Sequence, residues 1–141
     1  MDWTLELIVV PVSDVDTAKA FYADRLGFHV DVDHRAGEDF RIVQLTPPGS
    51  ACSITLMRNP DSAGNLSGLH LVVSDADEAV RTLQARGVTF DGPFHFGAAG
   101  QQDGAHPDRG DYATFLSFRD PDGNQWMVQE VPSRGQDPGG A

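Results

Sequence analysis

The chain has 141 residues, 40% of them apolar and 22% charged, with a formal net charge of −11 at pH 7. That length suits one soluble domain with a real hydrophobic core. The negative charge argues against nucleic acid and against anionic membrane surfaces as partners, because both repel such a chain.

The N-terminal stretch MDWTLELIVVPV places an acid at position 2 and a short apolar run that Pro11 interrupts. It has neither the basic start of a signal peptide nor the length of a membrane span, and it predicts a cytoplasmic protein. The run is rich in β-branched residues and predicts a strand. VSDVD follows at Val12–Asp16 and opens a helix, with Ser13 or Asp14 as cap, Asp16 in the first turn, and apolar Val15, Ala18, Phe21, Tyr22 and Leu26 at helical spacing. Gly27 ends it. About three strands follow. His29 and His34 alternate with Asp31 and Asp33 on a solvated edge. Cys52, the only cysteine, excludes an intrachain disulfide, fits a reducing compartment and reads as a buried small hydrophobe.

The pattern then repeats. VSDAD at Val73–Asp77 stands 61 positions after VSDVD, again after an apolar run, with Ser74 or Asp75 as cap and Ala76, Ala79, Val80 and Leu83 on one helix face before Gly87. A second pair of matches, TPPGS at Thr46–Ser50 and DPDGN at Asp120–Asn124, is spaced by 74. Both are x-Pro-x-Gly turns. The second half therefore holds 13 extra residues, which fall in the Gly-rich, polar segment Phe94–Asp111. A loop of that length in a compact domain is usually functional, and it predicts a mobile lid with His95 and His106 in it. The fold class is α+β, a single domain over 1–131 built of two βαβββ modules, about 1–59 and 66–131, with 132–141 as a disordered tail.

Paired βαβββ modules with SDxD before each helix, AFYADRLGF in the first, and DPDGN before the last strand resemble the vicinal oxygen chelate superfamily of glyoxalases, bleomycin-resistance proteins and extradiol dioxygenases. The resemblance covers nearly the whole chain. It implies that each module forms a cup-shaped mixed sheet, that the modules enclose the ligand, and that the protein is a homodimer. It also implies where a metal would sit: one ligand six residues before the serine of each SD pair, at Leu7 and Gly68, and one four residues after each turn glycine, at Ser53 and Met127, with Thr55 as the alternative if the first turn differs in length.

Strand parity decides which side chains meet. Leu69, Leu71 and Val73 form a continuous apolar face that should pack on the helices, leaving Gly68, His70 and Val72 toward the cup. Likewise Ile54 and Leu56 face the helices, and Ser53, Thr55 and Met57 the cup. In the last strand Trp126, Val128 and Glu130 share the helix face and Gln125, Met127 and Gln129 the other. Glu130 is thus on the wrong face for a metal and His70 one pleat repeat away from the ligand position. Divalent catalytic metals want imidazole or carboxylate, and the four positions hold none, so no metal and no cofactor is expected. A β-bulge would shift parity and bring a ligand back.

What remains is a cup lined by Leu7, Val9, Ser53, Thr55, Met57, His70, Val72 and Met127, with Phe115 added by analogy and Gln125 and Gln129 within reach of His70. Apolar walls with a few polar points suit a small-molecule site. Two readings stay open: a protein that sequesters a hydrophobic or aromatic compound, and an enzyme of the glyoxalase, isomerase or dioxygenase type. The enzyme would be metal-free with His70 as acid or base, or metal-dependent through unrecognised ligands.

Overall fold

In the computed structural model, which describes residues 1–136, the chain divides into two compact units: Met1–Leu66 with Asp120–Asn124, and Ser67–Arg119 with the chain from Gln125 onward. The DPDGN turn thus belongs to the first unit, although the module count assigns it to the second.

The first unit is a four-stranded sheet of β1 (Leu7–Val12), β2 (His29–Ala36), β3 (Phe40–Thr46) and β4 (Ser53–Arg58), in the order β1-β4-β3-β2. β1 runs parallel to β4, and β3 antiparallel to both its neighbours. α1 (Val15–Ala20) packs on β3 and β4. Its cap is Asp14, whose carboxylate accepts from the Thr17 amide, with Asp16 in the first turn and Lys19 in the last, the charge order that a helix dipole favours. The helix widens into a π-turn over Phe21–Arg25, and Gly27, at φ 76°, lets the chain leave it. Val10, Val12, Ala18, Tyr22, Val43, Leu45 and Leu56 are at most 1% exposed and fill the space between sheet and helix. Each such aliphatic side chain contributes roughly 1.5–3 kcal/mol by leaving water.

The DPDGN turn is stitched to this unit by polar groups. The Tyr22 hydroxyl donates to Asp120 (2.7 Å), the Ser13 hydroxyl to Asp122 (2.5 Å), and the Asn124 amide to the Pro11 carbonyl (2.9 Å). A Cβ on Gly64 would lie 2.2 Å from the Asp122 carbonyl oxygen, so only glycine permits this approach.

The second unit is a five-stranded sheet of β5 (Leu69–Val73), β6 (Phe90–Gly97), β7 (Gly100–Asp103), β8 (Phe115–Arg119) and β9 (Gln125–Glu130), in the order β5-β9-β8-β6-β7. α2 (Ala76–Ala85) packs on β6 and β9, capped by Asp75, and ends before Gly87 at φ 71°. In both halves, then, the aspartate of the SD pair caps the helix. The stacked pair Phe118–Trp126 (5.9 Å between centroids) and Leu116 and Val128 form the core under α2.

Three expectations are corrected here. The Gly-rich segment is not a free lid. Its first part forms the β6–β7 hairpin, Phe94 opposite Asp103, so the second sheet has one strand more than the first. The stretch after β7 is tied down: the Arg109 guanidinium to Glu130, the Tyr112 amide to the Glu130 carbonyl, and Asp111 to the Ser133 hydroxyl and amide. The supposed tail also begins in order. Pro132–Gln136 forms a 3₁₀ turn packed on β5, and the rest of that segment lies outside the described residues. Cys52, read as buried, is half-buried. Among the described residues no helix is long and apolar enough to cross a membrane.

Candidate functional site

In each unit one face of the sheet is covered by its helix, and parity sends the alternate side chains to the open face. In the second unit that face carries His70 beside Met127 and Val72 beside Gln129 on β5 and β9, and Ser117 and Phe115 on β8 opposite Met127 and Gln129. Next to Phe115 come Phe94 and Phe96. Phe94 stacks on Phe115 at 5.9 Å, and Phe96 meets both edge-on, at 5.8 and 5.4 Å. Aromatic pairs favour these offset and T-shaped arrangements. Phe94 is buried, but Phe96 is 52% exposed, so this aromatic wall still has a face to offer. The wall borders a groove of about 500 Å³ that Ser117, Gln125, Met127, Asp91, Gln101 and Asp103 also line. A second groove, of about 280 Å³, shares Asp91, Ser117, Gln125 and Met127 and reaches Gly68.

His70 has the expected parity, but its ring is exposed and does not line either groove. Its Nδ1 lies 2.9 Å from the Gly68 carbonyl oxygen, not against Gln125 or Gln129. A carbonyl only accepts, so Nδ1 carries the hydrogen, and in the neutral ring Nε2 is left as an acceptor facing outward.

Glu130 has a structural task on the opposite face. It is 1% exposed. One carboxylate oxygen accepts from the Ala76 amide at the start of α2 and from Arg109, both at 2.7 Å. Burial pushes its pKa up, but Arg109 and the Ala76 amide outweigh burial and hold it below the ordinary value.

In the first unit the open face carries Leu7 opposite Ser53, Val9 opposite Thr55 and Pro11 opposite Met57. On β3, Gln44 pairs with Thr55 and Ile42 with Met57. The Ser53 hydroxyl is 2.7 Å from that of Thr46, which in turn bonds the Asp31 carboxylate.

The registers decide between the alternative metal positions. Val9 corresponds to His70 in the repeat, Val9 pairs with Thr55, and His70 pairs with Met127. Thr55, not Ser53, is therefore the counterpart of Met127. The two turns differ: Ser50 donates to Pro47, with Gly49 at the third turn position, whereas Gly123 itself donates to Asp120. The β1–β4 and β5–β9 ladders run without a shift, and the irregularities sit in β2–β3 and β6–β8, so no bulge restores a ligand. Leu7, Thr55, Gly68 and Met127 do not suit a divalent catalytic metal. Gly68 also sits at φ 87°, where a ligating side chain would be strained. Among the described residues no three His, Cys, Asp or Glu side chains group so as to hold a metal ion.

These faces define a class: an α+β protein of two repeated modules whose open sheet faces carry aromatic, apolar and polar groups, Asp91 and Asp103 among them, with no cluster of metal donors among the described residues. Comparison with known proteins gives the family. The chain belongs to the Glyoxalase/Bleomycin resistance protein/Dioxygenase superfamily, whose family model matches residues 4–128. TnmS3, an antibiotic binding protein from Streptomyces sp. CB03234, is similar at 32% identity, covering 92% of this chain and 97% of that one, with a TM-score of 0.73. A glyoxalase/bleomycin resistance protein from the same organism is 33% identical over 90% of this chain and 100% of that one (TM-score 0.69). An uncharacterized protein of Shewanella frigidimarina is 32% identical over 88% of this chain and 90% of that one.

Sequence reasoning missed Phe94, Phe96, Gln101, Asp103 and Gln44. The signal for the first two was present, a period-2 alternation in FHFG, but their surroundings read as loop.

Proposed function

We propose that the protein binds a hydrophobic or aromatic small molecule, without metal chemistry, in the manner of a sequestering or resistance protein. The observation that carries this is the Phe94–Phe96–Phe115 wall beside a groove of about 500 Å³, within the size range of small-molecule sites. Met127 adds an adaptable apolar contact, and Ser117 and Gln125 supply neutral hydrogen bonds. The likeness to TnmS3 supports the reading, since that protein is an antibiotic binding protein. Each open face is proposed as a contact surface by itself: Leu7, Val9, Ser53, Thr55 and Met57 on the first unit, and His70, Val72 and Gln129 beside Met127 on the second. A backbone carbonyl orients His70 but adds no charge to strengthen it as a base, which favours binding over acid–base catalysis.

We also propose a homodimer. Native mass spectrometry of the purified protein tests both statements, reading subunit number and retained ligand together. For binding, Phe96→Ala should weaken retention of a polycyclic aromatic probe such as fluorene roughly tenfold. Unchanged retention would remove the wall from the site.

A further inference from the structure

Thr55 sits within β4, between Val9 of β1 and Gln44 of β3, and is 5% exposed. Among the described residues, its Oγ1 is the one buried side-chain nitrogen or oxygen with no hydrogen-bond partner. Leaving a buried hydroxyl unpaired is unfavourable, so such an atom in a native protein needs an explanation. Its neighbour on the same face does not share the problem. Asp31 accepts from Thr46, which commits the Thr46 hydrogen, so the Ser53 hydroxyl donates to Thr46 and its own hydrogen is committed as well. Thr55 alone in this row has a hydrogen with nowhere to go.

We propose that Thr55 is a specificity-determining residue whose hydroxyl donates to the carbonyl oxygen of a neutral aromatic carbonyl compound, with the Gln44 amide beside it. The proposal rests on the binding function above and names a ligand chemistry for the open face of the first unit taken by itself. Leu7, Val9, Ile42 and Met57 surround the hydroxyl on this face, so the rest of the ligand is apolar. An anion is disfavoured, because the Asp31 carboxylate borders the same row and the chain carries a net charge of −11. The hydroxyl is covered in the free protein, so a ligand that reaches it displaces neighbouring side chains of this face.

The test uses the full chain and two probes of one ring skeleton, fluorene and fluorenone, which differ by the carbonyl. Equilibrium dialysis should show fluorenone held roughly tenfold tighter than fluorene, the size of one net buried hydrogen bond. Thr55→Val keeps the shape and removes the hydroxyl. It should bring fluorenone down to the fluorene level and unfold within a few degrees of the parent. Thr55→Ser should retain the preference, and Thr55→Ala serves in place of the valine variant should that one not fold. Equal binding of the two probes by the parent, or a preference that survives Thr55→Val, overturns the proposal and assigns the hydroxyl to a buried water. Binding of neither probe refutes the binding function itself, and the proposal with it.

Discussion

Replacing Glu130 by glutamine separates structure from function at a carboxylate of β9 that is 1% exposed. The side chain accepts from Ala76 N (2.7 Å), Arg109 Nη2 (2.7 Å) and Arg109 Nε (3.1 Å). Glutamine keeps the volume but offers one neutral acceptor, and its NH₂ must face either a helix N-terminus or a guanidinium. Removing one member of a fully buried pair typically costs about 3–5 kcal/mol. Arg109 is 39% exposed and keeps Asp77 at 3.4 Å, so water and Asp77 take up part of its charge. We therefore expect a loss of about 2–3 kcal/mol, a fall in Tm of roughly 5–10 °C for a chain of this size. The pH dependence follows from the lowered Glu130 pKa. The unfolded chain binds the proton first as pH falls from the ordinary value of 4.5, so the contribution is present above that value and is lost as pH drops through the folded one. Urea midpoints of the parent should thus fall between about pH 5 and pH 3, and those of Glu130→Gln less so. Probe binding should not change, because Glu130 lies on the helix face. A Tm within a degree of the parent, or lost binding in a folded variant, would refute the argument.

Other outcomes follow from the same geometry. His70→Ala should fold normally and weaken ligand binding by no more than about 1 kcal/mol, measured by dialysis, because its ring is exposed and lines neither groove. Elemental analysis after purification without chelator should find no stoichiometric zinc, nickel, iron or manganese, given Leu7, Thr55, Gly68 and Met127 at the four positions. Hydrogen exchange should be slow at the amides that pair Phe94–Gly97 with Gly100–Asp103, and at Tyr112, whose amide donates to Glu130. Fast exchange there would restore the lid.

The repeat was legible because it is written in caps and breaks. Asp14 and Asp75 start helices, and Gly27 and Gly87 end them, whatever lies elsewhere in the chain. Face assignment was legible for the same kind of reason. Leu71, Val128 and Leu116 mark one side of a sheet, and parity then places His70, Met127 and Ser117 on the other. The β6–β7 hairpin was not legible. GAAGQQDG is polar and glycine-rich, and its strand is an edge of four exposed residues that packing did not select for apolar side chains. Counting from a glycine put Ser53 first as the counterpart of Met127 and left Thr55, the right one, as the alternative. Gly49 and Gly123 stand at different positions of their turns, and only the ladder register reveals the two-residue difference.

The poor fit of these four positions to a metal is written into the backbone as well as the side chains. At Leu7, Thr55 and Met127 a donor is one substitution away. At Gly68 it is not, because φ there is 87° and a histidine would occupy a conformation that residues with a Cβ adopt at a cost. That conformation is in use: the Gly68 carbonyl accepts the Nδ1 hydrogen of His70 and so fixes which imidazole nitrogen faces outward. A histidine at position 68 would therefore need a different entry into β5, and with a different entry the orientation of His70 would be lost. Ligation and the His70 acceptor are alternatives at this strand start, and in this chain the backbone has taken the second.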